Sequence, residues 1–287
     1  MIGSNKSELV LNERMDLFRS IPFLLIHLVG LIGPFYVGFS WIAFSTAVLL
    51  YFVRMFFVTG FIHRYFSHKT FEIILWPRFT QWMMAFLSTM VVQKGVVWWA
   101  SHHRQHHAHS DDSEDVHSNY LRGFFWSHVG WIMCPKYHQI DESKSRDWMG
   151  VPEIMWLEKG IHHMIGPVFL AIFCAWFGWY IGDLWNTNAL QMLVWAFFTS
   201  TVALYHGTFL INSAAHMFGK KRYETGDYSR NSLILAIITL GEGWHNNHHY
   251  NQHRAAQAVT PLEYCFDWTY WGLKVMDFLG IIRIKKV

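Results

Sequence analysis

Charged residues and cysteines are both scarce in this sequence, and each shortage narrows what the protein can be. Only 15% of the 287 residues are Asp, Glu, Lys or Arg, whereas 52% are hydrophobic and 18% aromatic. This composition is typical of a membrane protein. The net charge of +3, without a basic run, argues against a nucleic-acid partner. Cys134, Cys174 and Cys265 are odd in number and form no C-x-x-C pair, which argues against a disulfide framework or a zinc ribbon.

Lysine and arginine are absent from residues 161–219, although 23 of them occur elsewhere in the chain. Apolar runs cover residues 21–39, 41–62, 165–181 and 190–211. Each is close to the length that crosses a hydrocarbon core of ~30 Å. Because positive residues stay on the cytosolic side, the hairpin turns should lie outside and both termini in the cytosol. The sequence therefore predicts an all-α integral membrane protein with four transmembrane helices in two hairpins and a cytosolic helical cap.

Two polar interruptions of the apolar segments require their own predictions. Arg54 lies within the second run and is expected to snorkel towards the cytosolic end. Residues 79–100 are long enough to span, yet they contain Gln93 and Lys94. A crossing here would place the histidines before and after it on opposite sides of the membrane. We therefore expect this segment to be a helix at or just under the membrane surface.

The chain is predicted to form one domain behind a short tail. Residues 1–20 are polar, mixed in charge and without a signal-peptide cleavage site, so we expect a cytosolic tail, partly disordered up to about Arg19. The domain should cover residues 21–287. Residues 102–160 are polar and should form part of the cap.

Histidine is abundant, with 19 copies, and four of them fall within residues 102–107. On a helix, His103, His106 and His107 share a face, so three imidazoles can converge on one centre. His102, His106 and His107 would also present a usable face, and both registers stay open. The first is preferred because its spacing recurs elsewhere in the chain.

Two more histidine clusters lie near the apolar segments. His245, His248 and His249 repeat the i, i+3, i+4 spacing. His63 and His68 are five apart, which on a regular α-helix points the rings about 140° apart. The latter pair should therefore either serve different metals or lie where a helix ends.

The three clusters predict two metal ions. Eight histidines exceed the three or four protein ligands of a single zinc site. Imidazole suits several transition metals, and oxygen chemistry on hydrocarbon would select iron. His216 is a further candidate ligand, and Asn212, four residues earlier, shares its face. Nearby carboxylates are expected to hold the ligating rings through their second nitrogen. These carboxylates are Asp111, Asp112, Glu114, Asp115 and Glu242.

The motifs resemble the histidine boxes of membrane fatty acyl desaturases, most closely the stearoyl-CoA (delta-9) group and its bacterial relatives. The boxes are residues 63–68 (HRYFSH), 103–107 (HRQHH) and 241–249 (GEGWHNNHH). Residues 212–216 (NSAAH) and 123–131 (GFFWSHVGW) are similar to two further motifs of that group. The resemblance covers roughly residues 20–270.

The resemblance implies a four-span protein with a cytosolic cap, two irons and an asparagine, Asn212, that holds a metal-bound water. By motif position the implied iron ligands are His63, His68, His103, His106, His107, His216, His245, His248 and His249. The implied reaction uses O₂ and two electrons to introduce a cis double bond, at delta-9, into a saturated fatty acyl chain. Electrons should come from a separate ferredoxin, rubredoxin or cytochrome b5 type protein with its reductase.

A bent substrate tunnel is also implied by the resemblance. Gln93, Trp99 and Thr208 correspond to residues at its bend, and Tyr51 to its blind end. Ser101 and His102 replace an Arg-Asp pair of the animal members, and the loop from Asp111 to Asp115 is of the bacterial kind. The resemblance thus favours a bacterial cytoplasmic membrane over the endoplasmic reticulum. Acyl-CoA, acyl carrier protein and phospholipid therefore all stay open as the acyl carrier.

Two rival functions have distinct signatures. A hydroxylase on the same di-iron scaffold would produce an alcohol. A divalent-metal transport or sequestration protein would place polar ligands inside its spans, whereas here the histidines follow the spans.

Overall fold

The structure is a computed structural model, and it describes residues 13–286. The helices are, in chain order, α1 (Ile21–Val37), α2 (Trp41–Phe56), α3 (Pro77–Thr89), α4 (Val96–Ala108), α5 (Asn119–Arg122), α6 (Phe124–His128), α7 (Arg146–Met149), α8 (Pro152–Glu158), α9 (Ile165–Trp185), α10 (Ala189–Met192), α11 (Ser200–Asn212), α12 (Leu233–Ile238), α13 (His245–Tyr250), α14 (Pro261–Tyr264) and α15 (Trp268–Phe278). Short 3₁₀ turns are Gly130–Met133, Pro135–Tyr137, Glu142–Lys144, His162–Met164 and Ala214–His216.

Two π-helical stretches lengthen the apolar helices. Phe57–Ser67 continues α2, and Leu193–Thr199 joins α10 to α11. Within residues 13–286, three continuous helices are long and apolar enough to cross a membrane: Trp41–Ser67, His162–Trp185 and Ala189–His216.

The first predicted span is a 17-residue helix, α1, shorter than the other three. It packs closely on the Leu193–Thr199 stretch and α11. A Cβ atom on Gly30 would approach Val202 Cγ2 to 2.7 Å, so glycine is required for this approach. Thr199 Oγ1 donates to the Gly30 carbonyl at 2.9 Å.

The prediction that Arg54 snorkels towards the membrane surface is wrong, because the side chain is buried between helices. Its guanidinium donates to Thr201 Oγ1 at 2.8 Å and to Ser200 Oγ at 2.5 Å. It also donates to the Leu50 and Met90 carbonyls. Neutral oxygens on α11 therefore satisfy a cation that the sequence alone would have placed at the membrane surface.

The predicted single helix over residues 79–100 is also wrong, since it is broken into α3 and α4. The break spans residues 90–95, where Val92 and Lys94 have φ angles of 62° and 63°. Such left-handed conformations are unusual for residues other than glycine and end a helix. The break turns the histidine-bearing α4 away from the direction of α3.

Residues 13–20 are attached to the cap, whereas a partly disordered tail was predicted up to Arg19. Glu13 Oε2 accepts from Arg122 Nε at 2.7 Å. The Asp16 amide donates to the Met133 carbonyl at 2.9 Å. Residues 1–12 of the predicted tail lie outside the described part of the chain.

Two strands depart from the all-α prediction. β1 (Phe71–Ile73) pairs antiparallel with β2 (Ile282–Ile284), Phe71 facing Ile284. The chain end is thereby attached directly after the first histidine cluster. The fold remains mostly helical.

Candidate metal centre

The π-helix resolves the spacing of the first histidine pair. The His68 amide donates to the His63 carbonyl at 3.2 Å, an i to i+5 bond. In such a turn, residues five apart come closer to one face than in an α-helix. The ring centroids of His63 and His68 lie 4.9 Å apart. The two rings thus lie together where the helix ends.

On α4, the histidines divide between two directions. His68 Nε2 lies 2.8 Å from His103 Nε2, and His107 Nε2 lies 2.9 Å from His248 Nε2. His106 faces a second group. His102 points elsewhere, because its Nδ1 donates to the Trp98 carbonyl at 2.9 Å.

The third cluster lies on α13, which is held against α12. A Cβ atom on Gly243 would meet the Ala236 amide nitrogen at 2.0 Å, so only glycine fits there. The Asn231 side chain accepts from the Asn246 amide at 3.0 Å and from the Asn247 amide at 3.2 Å. These contacts fix the first turn of α13, where the amides lack helical partners.

The nine candidate histidines fall into two groups, and within each group the nitrogens lie within 4.8 Å of one another. The first group contains His63, His68, His103, His107 and His248, and the second contains His106, His216, His245 and His249. A third close set, His106, Asp115 and His117, shares His106 with the second group.

Four buried carboxylates each face the Nδ1 atom of one candidate ligand. The contacts are Glu242 Oε2 to His63 at 2.6 Å, Asp115 Oδ2 to His106 at 3.0 Å, Asp111 Oδ2 to His216 at 2.8 Å and Asp227 Oδ2 to His249 at 2.7 Å. Because an ionised carboxylate only accepts, Nδ1 carries the proton and Nε2 carries the lone pair. The structure thus fixes a ring tautomer suited to metal binding.

These lone pairs converge, which provides a test of whether a metal fits. His63 Nε2 and His248 Nε2 lie 3.0 Å apart, as do His216 Nε2 and His245 Nε2. Facing lone pairs repel each other unless a proton or a cation lies between them. The buried His249 Nε2 has no partner among the described residues. The donor set therefore fits two imidazole-bound cations.

Ionisation states agree with this fit at most of the rings; at His106 burial lowers the pKa, but the Asp115 carboxylate outweighs it and raises the pKa above the ordinary value. Burial, reinforced by neighbouring imidazoles, holds one set of ring pKa values well below the ordinary value, so these rings are neutral. They belong to His68, His103, His107, His245 and His248. Although burial opposes ionisation, the hydrogen bond from His216 lowers the pKa of Asp111. Neutral imidazoles beside ionised carboxylates are the forms that a metal site requires.

Two of the five predicted carboxylates lie elsewhere, and one partner was missed. Asp112 and Glu114 contact His109 at the surface. Asp227, the missed residue, lies in a loop remote in sequence from every histidine box except the third. The preceding residues, Thr225 and Gly226, indicate only a turn, so the local sequence carried no signal that Asp227 would contact a histidine ring.

Two cavities adjoin the clusters in the described part of the chain. The larger, of about 420 Å³, runs from His103 and Asn212 to Arg19 and Lys94. The smaller, of about 30 Å³, lies beyond it and is lined by Met55, Val58 and Thr59 among others.

The predicted tunnel residues lie where these cavities meet, with one exception. Trp99, Thr208 and Asn212 line both cavities, and Gln93 lines the larger one. Gln93 Nε2 donates to Thr208 Oγ1 at 3.0 Å. Tyr51 lines neither cavity, and its hydroxyl donates to the Ile238 carbonyl at 2.7 Å.

Long apolar helices that present clustered histidines able to hold metal define a membrane metalloprotein. A family model described as "Fatty acid desaturase" matches residues 12–259. The chain belongs to the fatty acid desaturase family, and it is an oxidoreductase that acts on fatty acyl chains. The resemblance read from the histidine boxes is thereby confirmed.

Individual relatives cover most of the chain. An sn-1 stearoyl-lipid 9-desaturase of Anabaena variabilis is 32% identical over 94% of this chain and 93% of its own length. An sn-2 palmitoyl-lipid 9-desaturase of Nostoc sp. is 30% identical over 90% and 85%. An acyl-CoA 5-desaturase, AL21, of Anemone leveillei is 31% identical over 95% and 80%.

Proposed function

We propose that the protein is an O₂-dependent di-iron desaturase that introduces a cis double bond, at delta-9, into the acyl chain of a membrane lipid. One observation carries the proposal: converging histidine lone pairs lie at the inner end of a mainly apolar cavity. The names of the cyanobacterial relatives support a lipid-linked substrate and the delta-9 position.

The nine histidines would hold two irons. His63, His68, His103, His107 and His248 would bind one, and His106, His216, His245 and His249 the other, with Asn212 holding a metal-bound water. With O₂ and two electrons from a separate donor of the ferredoxin, rubredoxin or cytochrome b5 type, bound iron would supply the oxidising power that an unactivated methylene requires.

Other residues near the clusters hold the histidine rings in position. Glu242, Asp111, Asp115 and Asp227 orient the rings through Nδ1. Arg64 Nη2 bonds Glu242 Oε1 at 3.1 Å and keeps that carboxylate in place.

The position of the double bond depends on the shape of the cavity. Burial stabilises each methylene by only about 0.8 kcal/mol, so affinity alone cannot select one carbon. A fixed bend can, and the Gln93 bond to Thr208 together with the Trp99 ring supplies one.

The proposed membrane arrangement has four spans, with α1 and Trp41–Ser67 as the first hairpin and α9 with the Ala189–His216 helix as the second. The clusters and both termini would face the cytosol. The absence of Lys and Arg from residues 161–219 supports this orientation. Exposed apolar residues on α1, such as Leu28 and Leu31, support its contact with lipid.

Expression in a bacterial host that cannot make unsaturated fatty acids tests the function. Double-bond positions in extracted lipids are mapped by mass spectrometry, with His103→Ala as the inactive control. Wild-type protein should yield cis delta-9 products that the control lacks. Hydroxylated chains would indicate a hydroxylase. Metal accumulation without any new lipid would indicate a transport or sequestration protein.

A further inference from the structure

The larger cavity opens at the ends of two apolar helices. Its outer wall includes Arg19 and Pro22, at the start of α1, and Met164, just before α9. All three are exposed, whereas His103 at the inner end is buried. An acyl chain can therefore enter from the boundary between membrane and cytosol.

Lys94 lies on the wall of this cavity, and its ammonium has weak partners. Nζ lies 3.5 Å from the His138 carbonyl and 4.4 Å from the centre of the Trp98 ring. Among the described residues, no carboxylate lies within ion-pair distance of Nζ. A partly buried ammonium has three donors, so donor capacity remains.

The protonation state of Lys94 suits a hydrogen-bond donor. Burial lowers the pKa of Lys94 to about 8, and the Glu158 charge limits the decrease. His138 and His163 also line this end of the cavity, and burial lowers the pKa of His138. Lys94 is thus mostly charged at neutral pH, while the His138 imidazole is mostly neutral.

The backbone that carries Lys94 is held in an unusual conformation. Val92 and Lys94, on either side of Gln93, are both left-handed. Tyr205 donates its hydroxyl proton to the Val92 carbonyl at 2.7 Å, and Arg54 Nη1 lies 3.4 Å from the Met90 carbonyl. Strain of this kind persists only where surrounding contacts impose it, and it concentrates at functional sites. Gln93 at the bend and Lys94 near the opening are consequently fixed relative to each other.

The distance along α4 from its start, next to Lys94, to His103 suits an acyl chain. On α4, His103 lies seven positions after Val96, which is next to this segment, and this corresponds to about 10 Å along the helix axis. This is comparable with the extended length between the carbonyl carbon and the ninth carbon of an acyl chain.

We propose that Lys94 binds the ester carbonyl of a membrane glycerolipid and so sets the distance, counted from the carboxyl end, at which the chain reaches the metal centre. This assignment rests on the proposed desaturase function. Lys94 is a specificity-determining residue here, and it takes no part in hydrogen removal.

The test uses purified full-length protein loaded with iron, a chemical or protein electron donor, and vesicles of dipalmitoyl phosphatidylglycerol. Palmitoyl-CoA is supplied in a parallel arm. Wild type is compared with Lys94→Met, Lys94→Gln, Lys94→Arg and the control Lys159→Met, an exposed lysine. KM, kcat, iron per chain and the distribution of double-bond positions are measured.

Lys94→Met should raise KM for the vesicle lipid roughly tenfold, the order of effect of one lost hydrogen bond from a charged group. It should also spread the double bond over neighbouring carbons, with iron content unchanged. Lys94→Arg should restore the main position, and Lys159→Met should behave as wild type. If Lys94→Met does not fold, Lys94→Gln is judged by the same criteria.

An unchanged KM and an unchanged positional distribution in folded Lys94→Met, or in Lys94→Gln, would overturn the assignment. Conversion of palmitoyl-CoA without conversion of vesicle lipid by wild type would overturn the glycerolipid as substrate. Failure of wild type to form any unsaturated product would instead reject the proposed function.

Discussion

Asp227 accepts a 2.7 Å hydrogen bond from Nδ1 of His249, and both side chains are almost fully buried. The bond leaves His249 Nε2 directed at the second histidine group. It is one of four contacts of the same kind, and the only one of these whose carboxylate was not among the residues selected from the sequence. The orientation of each ring thus depends on a carboxylate as well as on its own helix.

Asp227→Asn should weaken metal binding at the second group. Loss of such a hydrogen-bond partner typically costs ~10–100-fold in metal affinity or activity, because the ring is no longer held in one tautomer. Metal per chain and product formation are measured in purified protein. Asp112→Asn is the matched control, because Asp112 is exposed and contacts His109 and the Glu114 amide rather than a candidate ligand. Equal metal loss in both variants would contradict the role of Asp227.

Asn212 and His216 should respond differently to replacement by alanine. His216→Ala removes an imidazole from the second group, so it should lower the content of one iron. Asn212→Ala removes an amide that lines both cavities, so most metal should remain while turnover falls. Iron per chain is measured beside desaturated product. If Asn212→Ala loses as much iron as His216→Ala, the water-holding role is wrong.

Chain length should depend on Met55 and Tyr51 together. Met55 lines the smaller cavity. Tyr51 lies next to Met55, because the Tyr51 hydroxyl and Met55 Cε both come close to Gly207. Met55→Ala should extend the cavity and shift products towards longer chains, and Tyr51→Ala should add to the shift. Tyr51→Phe, which keeps the ring, is the control. An unchanged length profile in active Tyr51→Ala protein would remove Tyr51 from this role.

Membrane topology can be tested with reporters. A reporter fused near Asn186, between α9 and α10, should be external, because no Lys or Arg lies in residues 161–219. One inserted near Ser110, beside the histidines of α4, should be cytosolic. Reporter activity on the same side at both sites would reject the four-span arrangement.

Glu158 should make stability depend on pH. Burial raises its pKa to about 7, above the ordinary value of 4.5. Because the folded pKa is raised, the stabilising effect of the protonated form is complete below pH 4.5 and is lost as pH rises to about 7. Glu158→Gln stays neutral and can still accept from the Val97 amide.

The expected gain from Glu158→Gln is about 3 kcal/mol at pH 8 and less than about 1 kcal/mol at pH 5. Thermal unfolding of detergent-solubilised protein at the two pH values measures it. Glu142→Gln, at an exposed position, serves as control. A gain of equal size at both pH values would show that ionisation of Glu158 is not the cause.

Local sequence patterns predicted the helical class, the position of the apolar segments and the family. These predictions rest on short-range patterns in the sequence, which are apolar runs of membrane length and histidines at i, i+3 and i+4 on one helix face. The His103 register preferred over His102 is the one that the structure places in a histidine group. The roles of the nine histidines as iron ligands remain a prediction that the geometry supports.

Predictions that assumed regular helices or a uniform environment were wrong. The five-residue spacing of His63 and His68 was read on an α-helix, whereas a π-helix carries it, and only the alternative that the pair lies where a helix ends is confirmed. Arg54 was placed at the membrane surface because no partner is visible in its own segment, yet Ser200 and Thr201 lie almost 150 positions away. The break at Val92 and Lys94 likewise depends on distant contacts, including the Tyr205 hydroxyl.

The sequence by itself determined which residues can bind metal and which segments must avoid water, because both follow from side-chain chemistry and short-range periodicity. Only the tertiary structure decided how the histidines divide into two groups, which carboxylates hold four of the rings and which residues line the cavities. Those features join residues as much as 185 positions apart, as His63 and His248 are. Such contacts form through the packing of the whole chain, which no local pattern encodes.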